Sequence, residues 1–350
     1  MKLMVDDAVW GFNKIFSEFG EVVTLPGRDI SRESLLDCDM LIVRSRTQVN
    51  QKLLEGTQIS FVGSTVAGLD HIDESYLYKN NIAFSSAQGC NANAVAEYVI
   101  SALANLAHDY CFNLTEKSLG IIGVGNVGQR LDFKAKQLGM TTLLNDPPRE
   151  EKEGADGYVS LENALSADIV TFHTPLTNNG PYPTHNLLGS QNFNLITEDT
   201  ILINAARGGI IDEAIWETIN TKANIIDCWE NEPNINRTLQ KSAYWSTPHI
   251  AGHSIDAKFM GSFMIYKELC KFTQKPMNSE VETLINHESM VIEEKTLHAT
   301  LNSIYSFKDD DEVISDISKF EDYRRNYPER FEWHHFKTQF DLPRKNINQY

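Results

Sequence analysis

The sequence predicts an α/β protein with two doubly wound parallel sheets and a small α+β unit at its C-terminal end. Two series of short apolar runs alternate with helix-sized spacers, which indicates βαβ units and parallel strands. The 350 residues also exceed what one compact core usually holds. From about Asn278 onward the composition becomes acidic and then rich in arginine and aromatic residues, which marks the small last unit.

The first series of predicted elements begins at the N-terminus. It has an amphipathic helix at Val9–Phe19 that ends at Gly20, and its predicted strands are Lys2–Val5, Glu21–Leu25, Met40–Arg44 and Ile59–Ser64. A helical pattern at Asn93–Ala107 leads into the second series. Its strands are predicted at Leu119–Val124, Thr141–Asn145, Ile169–His173, Ile201–Asn204 and Ile225–Cys228. Polar or glycine-containing turns follow these strands, as expected where parallel strands end. A helix at Ile255–Phe272 closes this part.

Composition excludes several classes of function. The net charge of −17 and the lack of a basic face argue against a nucleic-acid partner. No apolar run approaches the roughly 18 residues that cross a membrane, and the N-terminus has acids where a signal peptide has bases. The five cysteines form no CxxC pair, which suits a reducing compartment, so the cytoplasm is the expected location.

A glycine motif points to a dinucleotide cofactor. The segment LGIIGVGNVGQRL carries GxGxxG between a predicted strand and a predicted helix, at Gly123, Gly125, Asn126, Val127 and Gly128. The first glycine allows a tight turn, the second lets the backbone approach a pyrophosphate, and the third allows close packing of helix and strand. The helix N-terminus then offers amide groups to the phosphates. This Rossmann-like context predicts a bound dinucleotide.

Two more strand ends adjoin that site. Asp146 lies about 20 residues beyond the glycines, where an acid binds the adenosine ribose and disfavours a 2′-phosphate. The acid therefore favours NAD over NADP. Its alternative role is that of a helix cap before Pro147. Thr174 ends the following strand and is expected to line the same crevice, although a lone threonine there is also a common turn residue.

Three strand-end segments, INAARGGIID, IIDCWENEP and TPHIAGH, place a cation, an acid and a histidine at one edge of the second sheet. Oxidation of a 2-hydroxy acid needs a base for the hydroxyl proton, and His249 suits that role. Glu232 is expected to orient the imidazole and stabilise its protonated form. Arg207 is expected to hold a carboxylate in a bidentate fork. Singly, each has a plain alternative as an ion pair, a solvated acid or a turn residue.

These segments resemble the D-isomer-specific 2-hydroxyacid dehydrogenases, through IIGVGNVG, NAARGGIID, DCWENEP and TPHIAG. The resemblance extends from the N-terminus to about residue 275. It implies that Arg207, Glu232 and His249 are catalytic, with His249 as the proton acceptor or donor. It also implies NAD as cofactor, with contacts from the glycine motif and from Asp146, Thr174, Ala205, Ala206, Asp227 and Gly252. Asp227 alone would equally suit a strand-end cap.

Further segments resemble a branch of this family that oxidises 4-phosphoerythronate in vitamin B6 synthesis. They include LIVRSRTQVN, GLDHID, FHTPLTNNGPYPTHNL and RRNYPERFEW. A small phosphorylated 2-hydroxy acid is thus the expected substrate, and Arg44, Ser45 and Arg46 are the candidates for its phosphate. Thr65, Val66 and His253 are expected to line the substrate pocket. Val66 stands where the branch usually has threonine, and His253 where it has tyrosine.

The resemblance also implies a domain arrangement. A substrate domain is expected from residues 1–92 and 254–277, an NAD-binding domain from 93–253, and a dimerisation unit from 278–350, so a homodimer is expected. The alternatives are a dehydrogenase for 3-phosphoglycerate or for glyoxylate and hydroxypyruvate, and a non-catalytic protein that senses NAD on the same scaffold. The segments just quoted favour the phosphoerythronate branch.

Overall fold

The computed structural model describes residues 1–285 and 289–343. The strands in this part of the chain are β1 (Lys2–Asp6), β2 (Glu21–Leu25), β3 (Met40–Val43), β4 (Phe61–Ser64), β5 (Ala83–Ser86), β6 (Ser118–Ile122), β7 (Thr141–Asn145), β8 (Ile169–Phe172), β9 (Ile201–Asn204), β10 (Ala223–Ile226), β11 (Trp245–Ser246), β12 (Met290–Ile292) and β13 (Phe336–Thr338).

The α-helices of the same residues are α1 (Phe12–Phe16), α2 (Gln51–Leu54), α3 (Glu74–Lys79), α4 (Ala92–Asp109), α5 (Asn126–Gln137), α6 (Pro147–Glu153), α7 (Leu161–Leu165), α8 (Glu213–Trp216), α9 (Arg237–Ser242), α10 (Ile255–Thr273), α11 (Ser279–Glu282), α12 (Leu297–Ile304), α13 (Lys308–Ile314) and α14 (Phe320–Arg325). Short 3-10 turns lie at Ser17–Phe19, Glu33–Leu35, Leu114–Glu116, Phe193–Leu195, Ile317–Lys319 and Trp333–His335.

The chain forms two compact units. The first comprises the described residues of Met1–Asn91 and His253–Glu288, and the second those of Ala92–Gly252 and Ser289–Tyr350. The domain boundaries expected from the sequence stay a prediction. Within the expected third unit, residues 278–285 group with the first compact unit and 289–343 with the second, because α12 packs on α4 and α13 on β11. Residues 286–288 and 344–350 of that expected unit lie outside the described residues.

Each compact unit is built on a parallel sheet. In the first unit the strand order is β2-β1-β3-β4-β5. In the second it is β11-β10-β9-β8-β6-β7, again with every pair parallel. The order reverses between β6 and β8, and such a switch point is where open α/β sheets bind ligands. The prediction of two doubly wound parallel sheets is confirmed. The pair β12–β13 forms a small sheet of its own.

Apolar cores cover both faces of both sheets. In the second unit, Ile121 and Ile203 point into the core under α4 and α5, while Ile122 and Leu202 point into the opposite core beside α7. The first core also holds Phe307, Trp333 and other residues of the C-terminal segment. Because both faces are covered, the strands consist of continuous apolar residues rather than alternating ones.

Some local predictions need correction. The helix expected at Val9–Phe19 begins only at Phe12, because Gly11 adopts a left-handed conformation with φ of 65° just before it. Its last residues, Ser17–Phe19, form a 3-10 turn. The strands β5 and β11 were not predicted, since AFSS and the two-residue WS carry too little apolar sequence to be recognised. Strand β3 ends at Val43, so Arg44 lies beyond it.

Candidate active site

The glycine motif lies between β6 and α5, so the expected strand–loop–helix context is confirmed. Gly123 has φ of 90°, and a Cβ there would lie 2.7 Å from the backbone of His173 and Thr174. A Cβ on Gly128 would lie 2.2 Å from the Gly123 carbonyl oxygen. A Cβ on Gly125 would meet no atom within 4 Å. The first and third glycines therefore serve packing inside the protein, whereas the second borders open space at the helix N-terminus.

Asp146 directly follows β7, and its carboxylate accepts backbone amides from two segments. One carboxylate oxygen accepts the Val124 amide of the glycine loop at 2.7 Å, and the other accepts the Arg149 amide of α6 at 3.1 Å. Asp146 is therefore the helix cap that was considered as an alternative. Because it also holds the glycine loop, its side chain lies beside the expected dinucleotide position. The contact with ribose stays a prediction.

The end of β8 presents buried polar atoms across from the glycine loop. Thr174 Oγ1 and His173 Nδ1 are both buried and have no hydrogen-bond partner among the described residues. The other ring nitrogen of His173 lies 3.0 Å from Thr171 Oγ1. Burial lowers the pKa of His173 to about 3, so its ring is neutral. Buried polar atoms are normally hydrogen-bonded, so unpaired ones at a switch point mark where a polar ligand fits.

These features fit a dinucleotide. The amides at the start of α5 supply donors for phosphate, the bare Gly125 leaves room for it, and Asp146 supplies acceptors near the end of β7. The unpaired Thr174 hydroxyl offers a further polar contact. Asn126 and Val127 form the first turn of α5, where helix amides are free of intrahelical partners.

Arg207 lies in the loop that follows β9. Asn204 shapes this loop, because its side-chain oxygen accepts the Ala206 amide at 3.1 Å and its amide donates to the Arg207 carbonyl at 2.8 Å. Ala205 and Ala206 are each 8% exposed. A Cβ on Gly208 would lie 2.1 Å from the Trp229 carbonyl, so the loop packs tightly against the segment that follows β10.

Asp227 directly follows β10 and organises the loop that carries His249. Its carboxylate accepts the Thr247 hydroxyl and the Ile250 amide, each at 2.7 Å, and the Ala251 amide at 3.1 Å. The residue is only 1% exposed. The side chain thus has the strand-end role that the sequence left open. Its contact with the cofactor stays a prediction, as does that of Gly252, which follows Ala251.

His249 and Glu232 form a hydrogen-bonded pair. His249 Nδ1 lies 3.0 Å from Glu232 Oε1 and 2.9 Å from Oε2. A carboxylate only accepts hydrogen bonds, so Nδ1 carries the hydrogen and Nε2 is the nitrogen left for chemistry. Nε2 makes no hydrogen bond to any residue in the described ranges. His249 has φ of 55°, a left-handed conformation that is uncommon outside glycine, and the bonds from Ile250 and Ala251 to Asp227 hold it there.

The pKa of Glu232 is lowered, although the carboxyl is largely buried. Burial alone would raise this pKa, but the charge and hydrogen bond of His249 outweigh it, together with the charge of Arg324 and the Trp229 amide. Arg324 Nη1 lies 3.6 Å from Glu232 Oε2, and the Trp229 amide donates to Oε1 at 3.0 Å. Glu232 is therefore ionised and able to stabilise a protonated imidazole.

Arg324 was not identified as a site residue from the sequence. It lies on α14, more than 90 positions after Glu232 in the chain. The only signal was its place in RRNYPERFEW, one of the segments that carry the narrower resemblance.

Cys228, which lies beside Asp227, is a buried core thiol. Burial and the charges of Asp227 and Glu232 raise its pKa well above the usual range.

The residues expected to bind substrate belong to the first compact unit. Strands β3 and β4 are parallel neighbours, so the residues that follow them share one sheet edge, and the Thr65 amide donates to the Val43 carbonyl at 3.0 Å. Thr65 is 6% exposed and its hydroxyl donates to the same carbonyl, whereas Val66 is partly exposed. Arg44 donates from Nη1 to the Ala8 carbonyl at 3.2 Å, Ser45 is exposed, and Arg46 is partly buried. His253 directly precedes Ser254, the cap of α10.

Sequence comparisons relate the whole chain to known dehydrogenases. The family model described as "D-isomer specific 2-hydroxyacid dehydrogenase, NAD binding domain" matches residues 95–251. The chain is 57% identical to the erythronate-4-phosphate dehydrogenase of Ruthia magnifica subsp. Calyptogena magnifica, over 98% of this chain and 99% of that protein. It is 50% identical to the enzyme of the same name from Hydrogenovibrio crunogenus, over 95% and 92% of the two chains.

Solved structures share the fold at lower identity. An NAD⁺-bound 3-phosphoglycerate dehydrogenase from Entamoeba histolytica superposes with a TM-score of 0.63 at 23% identity, over 82% of this chain and 99% of that one. An acyclic imino acid reductase in complex with NADPH and D-Arg gives a TM-score of 0.65 at 22% identity, over 79% and 99%. In the described ranges no helix is long and apolar enough to cross a membrane.

Proposed function

Because the chain belongs to the D-isomer-specific 2-hydroxyacid dehydrogenase family and, within it, to the erythronate-4-phosphate dehydrogenases, we propose that it oxidises 4-phosphoerythronate to 2-oxo-3-hydroxy-4-phosphobutanoate in vitamin B6 synthesis. It is an NAD-dependent oxidoreductase. The observation that carries the proposal is the pair of His249 and Glu232, which leaves one imidazole nitrogen available as a proton acceptor.

His249 takes the proton of the 2-hydroxyl group in this mechanism. With Nδ1 bound to Glu232, its Nε2 is the acceptor, and the ionised Glu232 stabilises the imidazolium that forms. The left-handed backbone at His249, held through Asp227, keeps the ring in one orientation. In the reverse direction the same nitrogen returns the proton to the oxygen of a 2-oxo acid.

Arg207 binds the substrate carboxylate and polarises the C2 oxygen. Its guanidinium suits a bidentate contact with a carboxylate. The loop around it is held by Asn204 and by the packing of Gly208 against Trp229. A positive charge at this position also lowers the energy of the negative charge that develops on oxygen during proton loss.

NAD supplies the acceptor for the hydride that leaves C2. The residues that hold it are Gly123, Gly125, Asn126, Val127 and Gly128 at the pyrophosphate, Asp146 at the adenosine ribose, and Thr174, Ala205, Ala206, Asp227 and Gly252 along the crevice. The geometry of the glycine loop and the unpaired Thr174 hydroxyl support this assignment.

The substrate's phosphate needs cationic donors in a chain of net charge −17. Arg44, Ser45 and Arg46 follow β3 directly and form the cluster proposed to bind it. Thr65, Val66 and His253 are proposed to line the remainder of the substrate site. The Thr65 hydroxyl already donates to the Val43 carbonyl, so it is not a free donor for the substrate. Thr65 and Val66 therefore contribute to the shape of the site.

A steady-state assay of NADH formation tests the substrate. We expect kcat/KM for 4-phosphoerythronate to exceed that for 3-phosphoglycerate by about 10²-fold or more, since a site built for one polar substrate rejects another strongly. The assay is repeated on Val66→Thr and His253→Tyr, which restore the residues usual in the branch. A preference for 3-phosphoglycerate or glyoxylate would replace the proposed substrate. If none of the 2-hydroxy or 2-oxo acids tested changes the NADH concentration, the protein would instead be a non-catalytic NAD sensor.

We further propose a homodimer in the cytoplasm, with residues 278–350 as the dimer-forming region next to a substrate domain (1–92, 254–277) and an NAD-binding domain (93–253). Strand β12 supports this, because Val291 is 67% exposed and Met290 38% exposed. The cysteines are free thiols, as a reducing compartment requires. Sedimentation of the wild type and of Val291→Asp tests it: a wild-type monomer would contradict the proposal.

A further inference from the structure

A basic residue from the C-terminal segment reaches the Glu232–His249 pair within the second compact unit. Helix α14 ends in Arg324 and Arg325. The guanidinium of Arg324 lies 3.6 Å from the Glu232 carboxylate and 5.7 Å from the centre of the Phe320 ring, and its side chain is 23% exposed. Arg325 is exposed.

A second arginine of the same segment holds the backbone beyond His249. Arg330 donates from Nη2 to the Ala251 carbonyl, two residues after the histidine. It is 9% exposed, and its guanidinium lies 4.8 Å from the centre of the Tyr305 ring. The C-terminal segment therefore contacts the Glu232 carboxylate through Arg324 and the main chain of the His249 loop through Arg330.

The segment is anchored by a buried acid. Asp310 on α13 is 2% exposed and accepts the hydroxyls of Tyr305 at 2.6 Å, Tyr323 at 2.7 Å and Tyr327 at 2.9 Å. Tyr323 immediately precedes Arg324, and Tyr327 lies between the two arginines. A hydrogen-bonded network of this kind restricts the positions that α14 and the following turn can adopt. Arg324 is thus presented to Glu232 from a rigid support.

We propose that Arg324 is a positioning residue of the active site: it holds the Glu232 carboxylate and, through it, sets the pH range in which His249 accepts a proton. This rests on the proposed roles of Glu232 and His249. Neither the family model, which ends at residue 251, nor the strand-end motifs include this arginine.

The charge of Arg324 acts on the pair in one direction. A fixed cation beside Glu232 offsets part of the carboxylate's charge and disfavours a second cation on the imidazole. Other groups that act on this corner include the charges of Arg207 and Asp227 and the protonated thiol of Cys228. The acid Glu213 also lies there; burial raises its pKa to about 7, with Glu230 and Glu232 adding to the rise. Glu213 accepts the Glu230 amide at 2.8 Å. Without Arg324, the imidazolium is more stable and the base is protonated up to a higher pH.

The test compares Arg324→Gln and Arg324→Lys with Arg325→Gln, which removes the same charge one position away. The pH profile of kcat/KM is measured with 4-phosphoerythronate and NAD. In Arg324→Gln we expect the acidic limb to move up by about one pH unit, kcat on that limb to fall by up to about tenfold, and the KM for NAD to stay unchanged. Arg324→Lys should restore most of the profile, and Arg325→Gln should match the wild type.

An unmoved acidic limb in Arg324→Gln, or an equal loss in Arg324→Gln and Arg324→Lys, overturns the proposal and leaves Arg324 a structural residue. If Arg324→Gln does not fold, Arg324→Met, which keeps the apolar stem, replaces it. An NMR titration follows the ring resonance of His249, which is assigned as the one missing from the spectrum of His249→Gln. Because this titration needs no substrate, it tests the role of Arg324 independently of the proposed activity. Its midpoint should rise in Arg324→Gln even if 4-phosphoerythronate is not the substrate, and an unchanged midpoint rejects the role of Arg324.

Discussion

The carboxyl ends of β6 and β11 lie in the same sheet but differ in how far the polar groups around them are hydrogen-bonded within the protein. At β6, Gly125 borders open space, and Thr174 across from it has a buried hydroxyl with no partner in the described residues. Beyond β11, the Asp227 carboxylate accepts the Thr247 hydroxyl and the Ile250 and Ala251 amides, and His249 Nδ1 hydrogen-bonds to Glu232. One end leaves polar groups for a ligand to satisfy, and the other fixes the His249 ring through Nδ1 and leaves its Nε2 for chemistry.

This difference teaches what each task requires. A binding loop gains affinity when a ligand completes its hydrogen bonds, so unsatisfied groups are useful there. A group that moves a proton must be held in one orientation and one tautomer, so its neighbours must be satisfied beforehand. Mutations at the two ends should therefore affect different measurements, with NAD affinity changing at the first end and kcat or stability at the second.

The largest expected effect is that of His249→Gln. Loss of the proton acceptor should lower kcat by about 10³-fold, within the range that general base catalysis contributes. NADH affinity, measured by fluorescence titration, should stay near that of the wild type, because the glycine loop is untouched. A fall in kcat of less than tenfold would show that another group accepts the proton.

Glu232→Gln should have the next largest effect, with kcat reduced about 10²-fold. The carboxylate favours the imidazolium, and an amide does not, so a lower pH is needed to protonate the base in the variant. The acidic limb of the kcat/KM profile should therefore move to lower pH, opposite to the shift expected for Arg324→Gln. Movement in the same direction for both variants would contradict the electrostatic account of this pair.

Asp227→Asn should mainly reduce stability. An amide in place of this carboxylate can accept with only one atom, so at least one buried donor among Thr247, Ile250 and Ala251 faces an NH₂ group. We expect the free energy of unfolding to fall by about 2–4 kcal/mol, measured by urea denaturation. Asp146→Asn is the matched control at the β7 end: it is only partly buried, and it should cost about 1 kcal/mol. Equal losses would remove the distinction between the two strand ends.

The smallest effects are expected at two glycines of the same motif, where one substitution should change stability and the other NAD affinity. Gly128→Ala places a Cβ 2.2 Å from the Gly123 carbonyl, and we expect about 1–3 kcal/mol of destabilisation from the forced shift. Gly125→Ala meets no protein atom within 4 Å, so its melting temperature should match the wild type while its Kd for NAD rises about tenfold, equivalent to about 1.4 kcal/mol. Unchanged affinity in Gly125→Ala would mean that the pyrophosphate does not approach this position.

Elements with strong apolar runs were predictable, and short or interrupted ones were not. Strands β2, β7 and β9 have the predicted bounds, because each contains three or four consecutive apolar or β-favouring residues and is followed by a turn or loop. Strand β11 forms from two residues because β10 offers it a partner, which no local pattern records. Helix α1 is shortened by a left-handed glycine whose conformation depends on its surroundings.

By itself the sequence determined the parallel α/β architecture and the loop segments that carry Arg207, Glu232, His249 and the glycine motif, since hydrophobic period and turn residues act over short distances along the chain. Tertiary structure alone decided which groups meet. Asp227 holds the His249 loop and Arg324 faces Glu232 because packing brings together residues that are 20 to more than 90 positions apart. Such contacts depend on the shape of the folded core, and no local pattern of residues encodes them.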